Sequence, residues 1–479
     1  MNASTLLDRN LEAGRGEKVA IRCGEAQVTY GELHERACRV GGALRELGVR
    51  RGERVLLVMD DGPGFPAAFL GAIRAGAVPV PVNPLLAAPE YSFYVEDSGA
   101  KVVLADEACR EKVPSAHLVD ELDGGTPELP PADTGRDDAC FWLYSSGSTG
   151  RPKGVVHLQH DIEVTCETYA ANVLQIREDD VTFSTTKLFH AYGLGNNLSF
   201  PYWAGASTVL LRGRAAPEAV FATIARYRPT LFFSAPTLYN ALLNADDGSA
   251  DLLSARHCVS AAEPLPAEVW KRWRDRFGLV ILDGIGSTEL LHIYCSNRLD
   301  DVVPGSSGTP VPGYEVKLIE DGREVEGAGA GDLWVRGDSC FSEYWGQPER
   351  TAELIVDGWF STRDRYRRDA DGHYWYEGRS DDMFKVNGLW VSPAEVEGRL
   401  IEHPAVVECA VVGAVSGGFT KAKAFVVARE RVDPAALQEF CRERLHRYEV
   451  PQAIEFVDDL PKTLTGKIQR FKLREAAGR

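Results

Sequence analysis

Ser145-Ser146-Gly147-Ser148-Thr149-Gly150-Arg151-Pro152-Lys153-Gly154 is the stretch on which the reading of this chain turns. Glycine reaches positive φ without steric cost, so successive backbone N–H groups here can turn toward one anion. The hydroxyls add donors, and Lys153 adds a point charge suited to a polyphosphate. The spacing is not G-x-x-x-x-G-K-[ST], so this is not a Walker loop. Ala139-Cys140-Phe141-Trp142-Leu143-Tyr144 before it and Val155-Val156 after it read as strands, which argues for a structured loop over a solvated Ser/Gly linker.

Outward from that loop, helix and strand signals alternate. Thr29-Tyr30-Gly31-Glu32 spells a capping box, followed by Leu33, Ala37, Val40, Leu44 and Leu47 at helical spacing and a stop at Gly48. Strands are predicted over 54–59, 76–82 and 101–105, with a helix from about Pro66 to Ala75. A loose stretch over 123–138 delivers the chain to the Ser/Gly loop. Further strands are predicted over 207–211, 230–233 and 279–282. This rhythm predicts an α/β fold of parallel sheets covered by helices. From Tyr314 the strands shorten and turns crowd in, which predicts a small β subdomain within about 305–380. Beyond Ser380 the character changes again. Ser392-Pro393-Ala394-Glu395 opens a helix, 406–412 and 424–428 read as strands, and Pro434 to His446 reads as helical. The expected organisation is an N-terminal domain over 1–380 and a small C-terminal α+β domain over 381–479.

The 479 residues are 44% hydrophobic and 26% charged, ordinary for a globular protein with large cores. A net charge of −17 argues against nucleic acid as the main partner. The ten cysteines form no C-x-x-C pair, the first residues contain no apolar signal region, and no run of 18 apolar residues occurs. A reduced, cytoplasmic protein without a membrane span is expected, as a monomer or a homodimer.

Four further motifs follow the loop. Asp283-Gly284-Ile285-Gly286-Ser287-Thr288-Glu289 follows a strand, where open α/β sheets bind ligands; it also reads as a polar turn capping the next helix. Asp364, in Trp359-Phe360-Ser361-Thr362-Arg363-Asp364, can accept from two ribose hydroxyls or serve as a turn residue. Glu377-Gly378-Arg379-Ser380-Asp381-Asp382 fits a hinge or a salt-bridged loop. Lys467, in Thr465-Gly466-Lys467, can reach across a cleft or be a solvated charge.

In this order, and with Ala75-Gly76-Ala77-Val78-Pro79-Val80-Pro81-Val82-Asn83-Pro84, the motifs resemble the adenylate-forming superfamily of acyl-CoA synthetases, carrier-protein adenylation domains and beetle luciferases over nearly the whole chain. The resemblance implies that a carboxylate attacks the α-phosphate of ATP and that a thiol, usually coenzyme A, then displaces AMP. It implies catalytic roles for Lys467, Thr149, Glu289 and His190, with Thr149 and Glu289 holding Mg²⁺. It implies nucleotide contacts from Ser145, Ser146, Gly147, Ser148, Thr149, Gly150, Lys153, Glu263, Asp283, Gly284, Ile285, Thr288, Asp364 and Arg379. Asp381 matches the hinge, and Asn387 and Gly388 match the loop that lines the coenzyme A channel.

Within the superfamily the chain is most similar to benzoate-CoA ligases and related aryl-CoA synthetases, through Phe189-His190-Ala191-Tyr192-Gly193-Leu194-Gly195-Asn196-Asn197, through the Leu290-Leu291-His292-Ile293 extension of the glutamate motif, and through 385–393. That similarity places His190, Ala191, Tyr192, Ala261, Ala262, Gly286, His292 and Ile293 around an aromatic acid. Small residues leave a slot and an aromatic side chain meets a π-face. His292 offers a polar contact to a carboxylate or ring substituent, or is satisfied by backbone. His190 stands where benzoate ligases often have Phe, which points to a ring bearing a hydroxyl or amino group. Two departures stand out: Ile285 replaces a common aromatic residue, and Thr362-Arg363-Asp364 replaces Thr-Gly-Asp. The alternative to a coenzyme A ligase is a stand-alone enzyme that loads an aryl acid onto a carrier protein's phosphopantetheine.

Overall fold

The structure is a computed structural model that describes residues 1–122, 126–145, 151–380, 382–386, 389–416, 419–430, 432–462 and 468–477. A large N-terminal domain is built on two parallel sheets. The nine-stranded sheet runs in the order 309–310, 293–296, 281–286, 257–260, 231–234, 181–184, 207–209, 19–23, 26–29. Its neighbours from 281–286 to 19–23 are parallel, and antiparallel strands close both ends. The second sheet, Val78–Val82, Arg54–Val58, Val102–Ala105 and His117–Leu118 in that order, is entirely parallel. Its strands are near-continuous apolar runs, as expected where both faces are covered. The helix Tyr30–Glu46 starts on the expected capping box, with Thr29 and Glu32 exchanging hydrogen bonds, and Gly48 (φ 81°) lies just past its end.

The Ser/Gly loop joins two antiparallel strands, Ala139–Ser145 and Lys153–Leu158, with Ser145 opposite Lys153. A short strand, Glu343–Tyr344, extends this sheet and packs Trp345 on buried Trp142 at 4.4 Å between ring centroids. The predicted β subdomain is a six-stranded sheet built around Gly329–Arg336 and Trp359–Arg368. The small C-terminal domain packs the helices Pro393–Ile401 and Pro434–Arg442 on the sheet Val406–Ser416, Phe419–Ala428 and Ala453–Phe456, around an apolar core of its own that includes Val396, Leu400, Val411, Val426 and Leu437.

Several local expectations change. The strand expected over 279–282 spans Ile281–Gly286, so the glycine motif lies within it rather than after it. Gly284 and Gly286 allow the return strand Ile293–Ser296 to approach; a Cβ on Gly286 would sit 2.5 Å from the His292 carbonyl oxygen. Asp364 lies in a strand, Trp359–Arg368, rather than in a turn, and pairs with Arg379 at the end of the antiparallel strand Tyr374–Arg379. The C-terminal helix from Pro434 ends at Arg442 instead of His446, because Glu449 turns back to accept from the His446 N–H at 2.8 Å.

Candidate active site

Ser146, Gly147, Ser148, Thr149, Gly150, Asp381, Asn387, Gly388 and Lys467 lie outside the described residues. The flanks of the Ser/Gly loop are described. Lys153 is buried, with its ammonium 5.4 Å over the Tyr344 ring. Burial is the main cause holding this lysine below its ordinary pKa; repulsion from Arg350, Arg363 and Arg379 adds to it, and Glu289 opposes. Lys153 and Glu289 thus meet at Tyr344, whose hydroxyl donates to Glu289 Oε1 at 2.7 Å. Arg350 and Arg363 are offset by Glu353, and Arg379 by Asp364.

Thr288 and Glu289 sit on a short 3₁₀ turn, Thr288–Leu290, capped by Ser287. All three carbonyls of the turn are held from outside it. Thr288 O accepts from His157, Glu289 O from the Phe341 N–H at 2.7 Å, and Leu290 O from the Ser339 hydroxyl at 2.9 Å. Among the described residues no group of three or more His, Cys, Asp or Glu could hold a metal ion. A lone carboxylate among cations fits Mg²⁺ held jointly with nucleotide phosphates and water, the usual way Mg²⁺ meets phosphate.

At the expected ribose position, Arg379 Nη1 donates to Asp364 Oδ1 at 3.1 Å. Between Thr362 and Asp364, Arg363 adopts φ 57°, left-handed backbone that favours glycine, and its guanidinium pairs with Glu353. Ala262, at φ 79°, is a second such residue and is exposed; Glu263 beside it accepts from the Thr237 hydroxyl at 2.6 Å. Asp283 is buried, and burial pushes its carboxyl well up. Ile285 is half-buried against the core.

Of the residues expected around an acid, the structure brings Tyr192 beside His292 and Gly286 opposite Ile293. Ala191 and Tyr192 open a helix, Ala191–Leu194, that continues as a π-helical turn, Gly195–Ser199, a distortion frequent at functional sites. The Tyr192 hydroxyl donates to Val259 O at 3.1 Å, and its ring lies 5.5 Å from that of His292. His292 is buried between Tyr169 and Phe200 at 5.0 and 4.5 Å, with Nε2 3.2 Å from Asn196 Oδ1. Burial pushes its imidazole down to about 3, so the ring is neutral near pH 7. Ala191, Tyr192, Ala261 and Ile293 are buried in the main core of the large domain, and Gly286 faces Ile293 in register. His190 lies just before this helix, half-buried, with its ring 4.2 Å from that of Phe189 and tilted 38° to it. Beside the expected channel residues, Leu389 and Trp390 are exposed, and the Lys385 ammonium sits 4.5 Å over the Trp390 ring.

Sequence reading missed Tyr344, Arg350 and His157. The first two lie some 190 residues beyond the Ser/Gly loop, and nothing local marks them. His157 carries a usable signal: it shares a face of its strand with Lys153, four residues away.

Comparison with known proteins agrees with this geometry. The AMP-binding enzyme family matches residues 7–345, and the AMP-binding enzyme C-terminal domain matches residues 395–467. The chain is 47% identical to a benzoate-CoA ligase of Thauera aromatica, over 99% of this chain and 95% of that protein. A crystal structure of an anthranilate CoA ligase in complex with anthranoyl-AMP superposes with a TM-score of 0.95 at 42% identity, covering 100% of this chain and 97% of that one. A benzoate CoA ligase from Burkholderia xenovorans LB400 gives 0.93 at 43% identity, covering 99% and 100%. Motif order, fold and site together lead to one conclusion: the chain belongs to the AMP-binding enzyme family.

Proposed function

We propose that this chain is an ATP-dependent aryl-acid:CoA ligase that accepts benzoate or a benzoate bearing a hydroxyl or amino group. In the first half-reaction a carboxylate oxygen of the acid bonds to the α-phosphorus of ATP, and the bond to the bridging oxygen breaks to release pyrophosphate. In the second, the coenzyme A sulfur bonds to the acyl carbon, the acyl–phosphate bond breaks, AMP leaves and the thiol proton passes to solvent. The observation that carries this reading is the meeting of buried Lys153 and Glu289 at Tyr344, with Glu289 three residues before His292, whose ring faces that of Tyr192.

Lys153 stabilises charge that develops on departing pyrophosphate, and such preorganised electrostatics is usually the largest catalytic contribution. Glu289, with Thr149, would hold Mg²⁺, which supplies further neutralisation of the phosphates. Thr288 contacts the α-phosphate, and Asp364 and Arg379 hold the ribose. The neutral His292 and the half-buried His190 offer polar contacts to ring substituents. Lys467 serves adenylation only; rotation about Asp381, which we place as the boundary between the domains, withdraws it and brings Asn387 and Gly388 toward pantetheine. Relatives named for coenzyme A ligation favour free coenzyme A over a carrier protein as acceptor. No helix among the described residues is long and apolar enough to cross a membrane, and we place the enzyme with its nucleotide substrates in the cytoplasm.

The test is pyrophosphate exchange into ATP across benzoate, hydroxybenzoates, aminobenzoates, cinnamates and short fatty acids, with AMP and thioester followed in parallel. Benzoates should drive exchange and form thioesters with coenzyme A. Absence of AMP with every aromatic acid overturns the reading.

A further inference from the structure

We infer that His157 is a positioning residue for adenylation, acting through the backbone of Thr288. The inference rests on the ligase reading above and concerns a side chain that touches no substrate.

His157 lies near the end of the strand Lys153–Leu158 that leaves the Ser/Gly loop, and its side chain is fully buried. Its ring stacks on Phe141 of the neighbouring strand, 5.1 Å away at 23°. Phe141 is its partner in register. Both ring nitrogens face oxygens. Nδ1 lies 2.7 Å from Asp161 Oδ2, which also accepts from the Leu158 N–H at 3.0 Å, and Nε2 lies 2.8 Å from Thr288 O. A carbonyl oxygen can only accept, so Nε2 carries a proton and donates to it. Asp161 is as fully buried as the ring and orients it from the other side through a hydrogen bond whose proton lies between Nδ1 and Asp161 Oδ2.

The consequence is mechanical. One strand ends in Lys153, at the phosphate locus, and holds through His157 the turn that presents Thr288 and Glu289 to that locus. Phe341 and Ser339 hold the next two carbonyls of the turn from a separate segment. His157 is therefore a direct side-chain hydrogen bond from the Ser/Gly-loop hairpin to the turn bearing the proposed phosphate and Mg²⁺ contacts, beside the indirect tie through the segment 339–344, which pairs with the same strand. A displacement of about 1 Å in such groups is enough to cost a large factor in rate. The thioester half-reaction needs neither Mg²⁺ nor departing pyrophosphate, so loss of the link should fall on adenylation.

Substitutions separate this role from mere packing. In His157→Gln the amide reaches as far as Nε2 and can still donate to Thr288 O. In His157→Asn the amide stops near the position of Nδ1, keeping Asp161 and abandoning Thr288. The measurements are pyrophosphate exchange at varied Mg²⁺, thioester formation from supplied benzoyl-adenylate and coenzyme A, and the thermal midpoint. We expect His157→Asn to lose about 10–100-fold in exchange or in Mg²⁺ affinity, the range typical for residues that orient a ligand set. His157→Gln should retain most of both, and thioester formation from the adenylate should hold in each. Equal loss in the two variants, or parallel loss of both half-reactions, overturns the inference. If His157→Asn does not fold, His157→Met replaces it, filling similar volume with no donor; exchange equal to that of Gln overturns the inference, and loss confined to Met supports it. Absence of exchange in the wild type overturns the ligase reading itself, whereas a wild type that exchanges beside variants that do not separate overturns this one alone.

Discussion

Asp364 and Arg379 stand opposite each other on adjacent antiparallel strands, and the guanidinium Nη1 donates to the carboxylate at 3.1 Å. The pair is partly solvent-accessible, and the same guanidinium nitrogen also reaches the Thr362 carbonyl at 3.3 Å. The proposed function sets this carboxylate against the ribose hydroxyls, which a carboxylate can accept from. Asp364→Ala removes both the ligand contact and the partner of Arg379. Hydrogen bonds to charged groups contribute about 1.5–3 kcal/mol, so the KM for ATP in pyrophosphate exchange should rise by roughly 10–150-fold. The KM for the aromatic acid should change little, and equal rises in both would place Asp364 elsewhere.

Glu289 accepts from the Tyr344 hydroxyl, so one carboxylate oxygen is occupied and the other remains for a cation. Glu289→Gln keeps the shape and removes the charge. Exchange should fall by about 10²–10³, the scale of losing one preorganised electrostatic contact, and the Mg²⁺ concentration for half-maximal exchange should rise. Tyr344→Phe leaves the carboxylate charged and should cost distinctly less. A Glu289→Gln enzyme with an unchanged Mg²⁺ requirement would exclude the carboxylate as a metal ligand.

Much of this architecture was legible because each signal was local. The capping box at Thr29, the apolar runs of the parallel strands and the proline opening the helix at Pro393 are readable within a few residues. The nearness of Tyr192 and His292 was legible only through resemblance, since no periodicity brings the two together. Other features escaped because their causes are tertiary. Asp364 reads as a turn residue by composition, yet pairing with the strand that ends at Arg379 extends it. The glycine at 195 in the π-helical turn has a tertiary reason, as a Cβ there would lie 2.4 Å from the His292 ring. Tyr344 and Arg350 enter the site from a segment that pairs back onto the Ser/Gly-loop hairpin.

Arg363 combines two effects that one substitution can separate. Its φ of 57° carries a strain of order 1–3 kcal/mol for a non-glycine residue, and its charge acts on Lys153. The ion pair with Glu353 is partly exposed and contributes little, about 0–1 kcal/mol. Arg363→Gly should therefore leave the thermal midpoint unchanged or slightly raised, while weakening ATP binding through the lost cation. Differential scanning calorimetry and the ATP dependence of exchange read the two effects independently. A lowered midpoint with unchanged ATP affinity would reverse both assignments.

His292 links the acid pocket to stability below neutral pH. Burial holds its folded-state pKa at about 3, whereas an unfolded histidine titrates near 6.5. Between those values the unfolded chain binds the extra proton, so stability rises with pH across the window and is lost as pH falls below about 6.5. His257, pushed down to about 4 mainly by burial, acts in the same direction. Asp61, pushed up to about 7 by burial, acts oppositely, favouring the folded state at low pH and losing that contribution as pH rises through 7. The His292 contribution can be isolated with His292→Asn, which keeps a polar group of similar reach but does not titrate. Between pH 7 and pH 4 the wild type should lose more stability than this variant, by an amount on the order of a few kcal/mol measured by urea denaturation at each pH. Identical pH slopes for the two proteins would mean that the imidazole is not held neutral in the folded state, and the polar contact proposed for a ring substituent would then have to come from a charged His292.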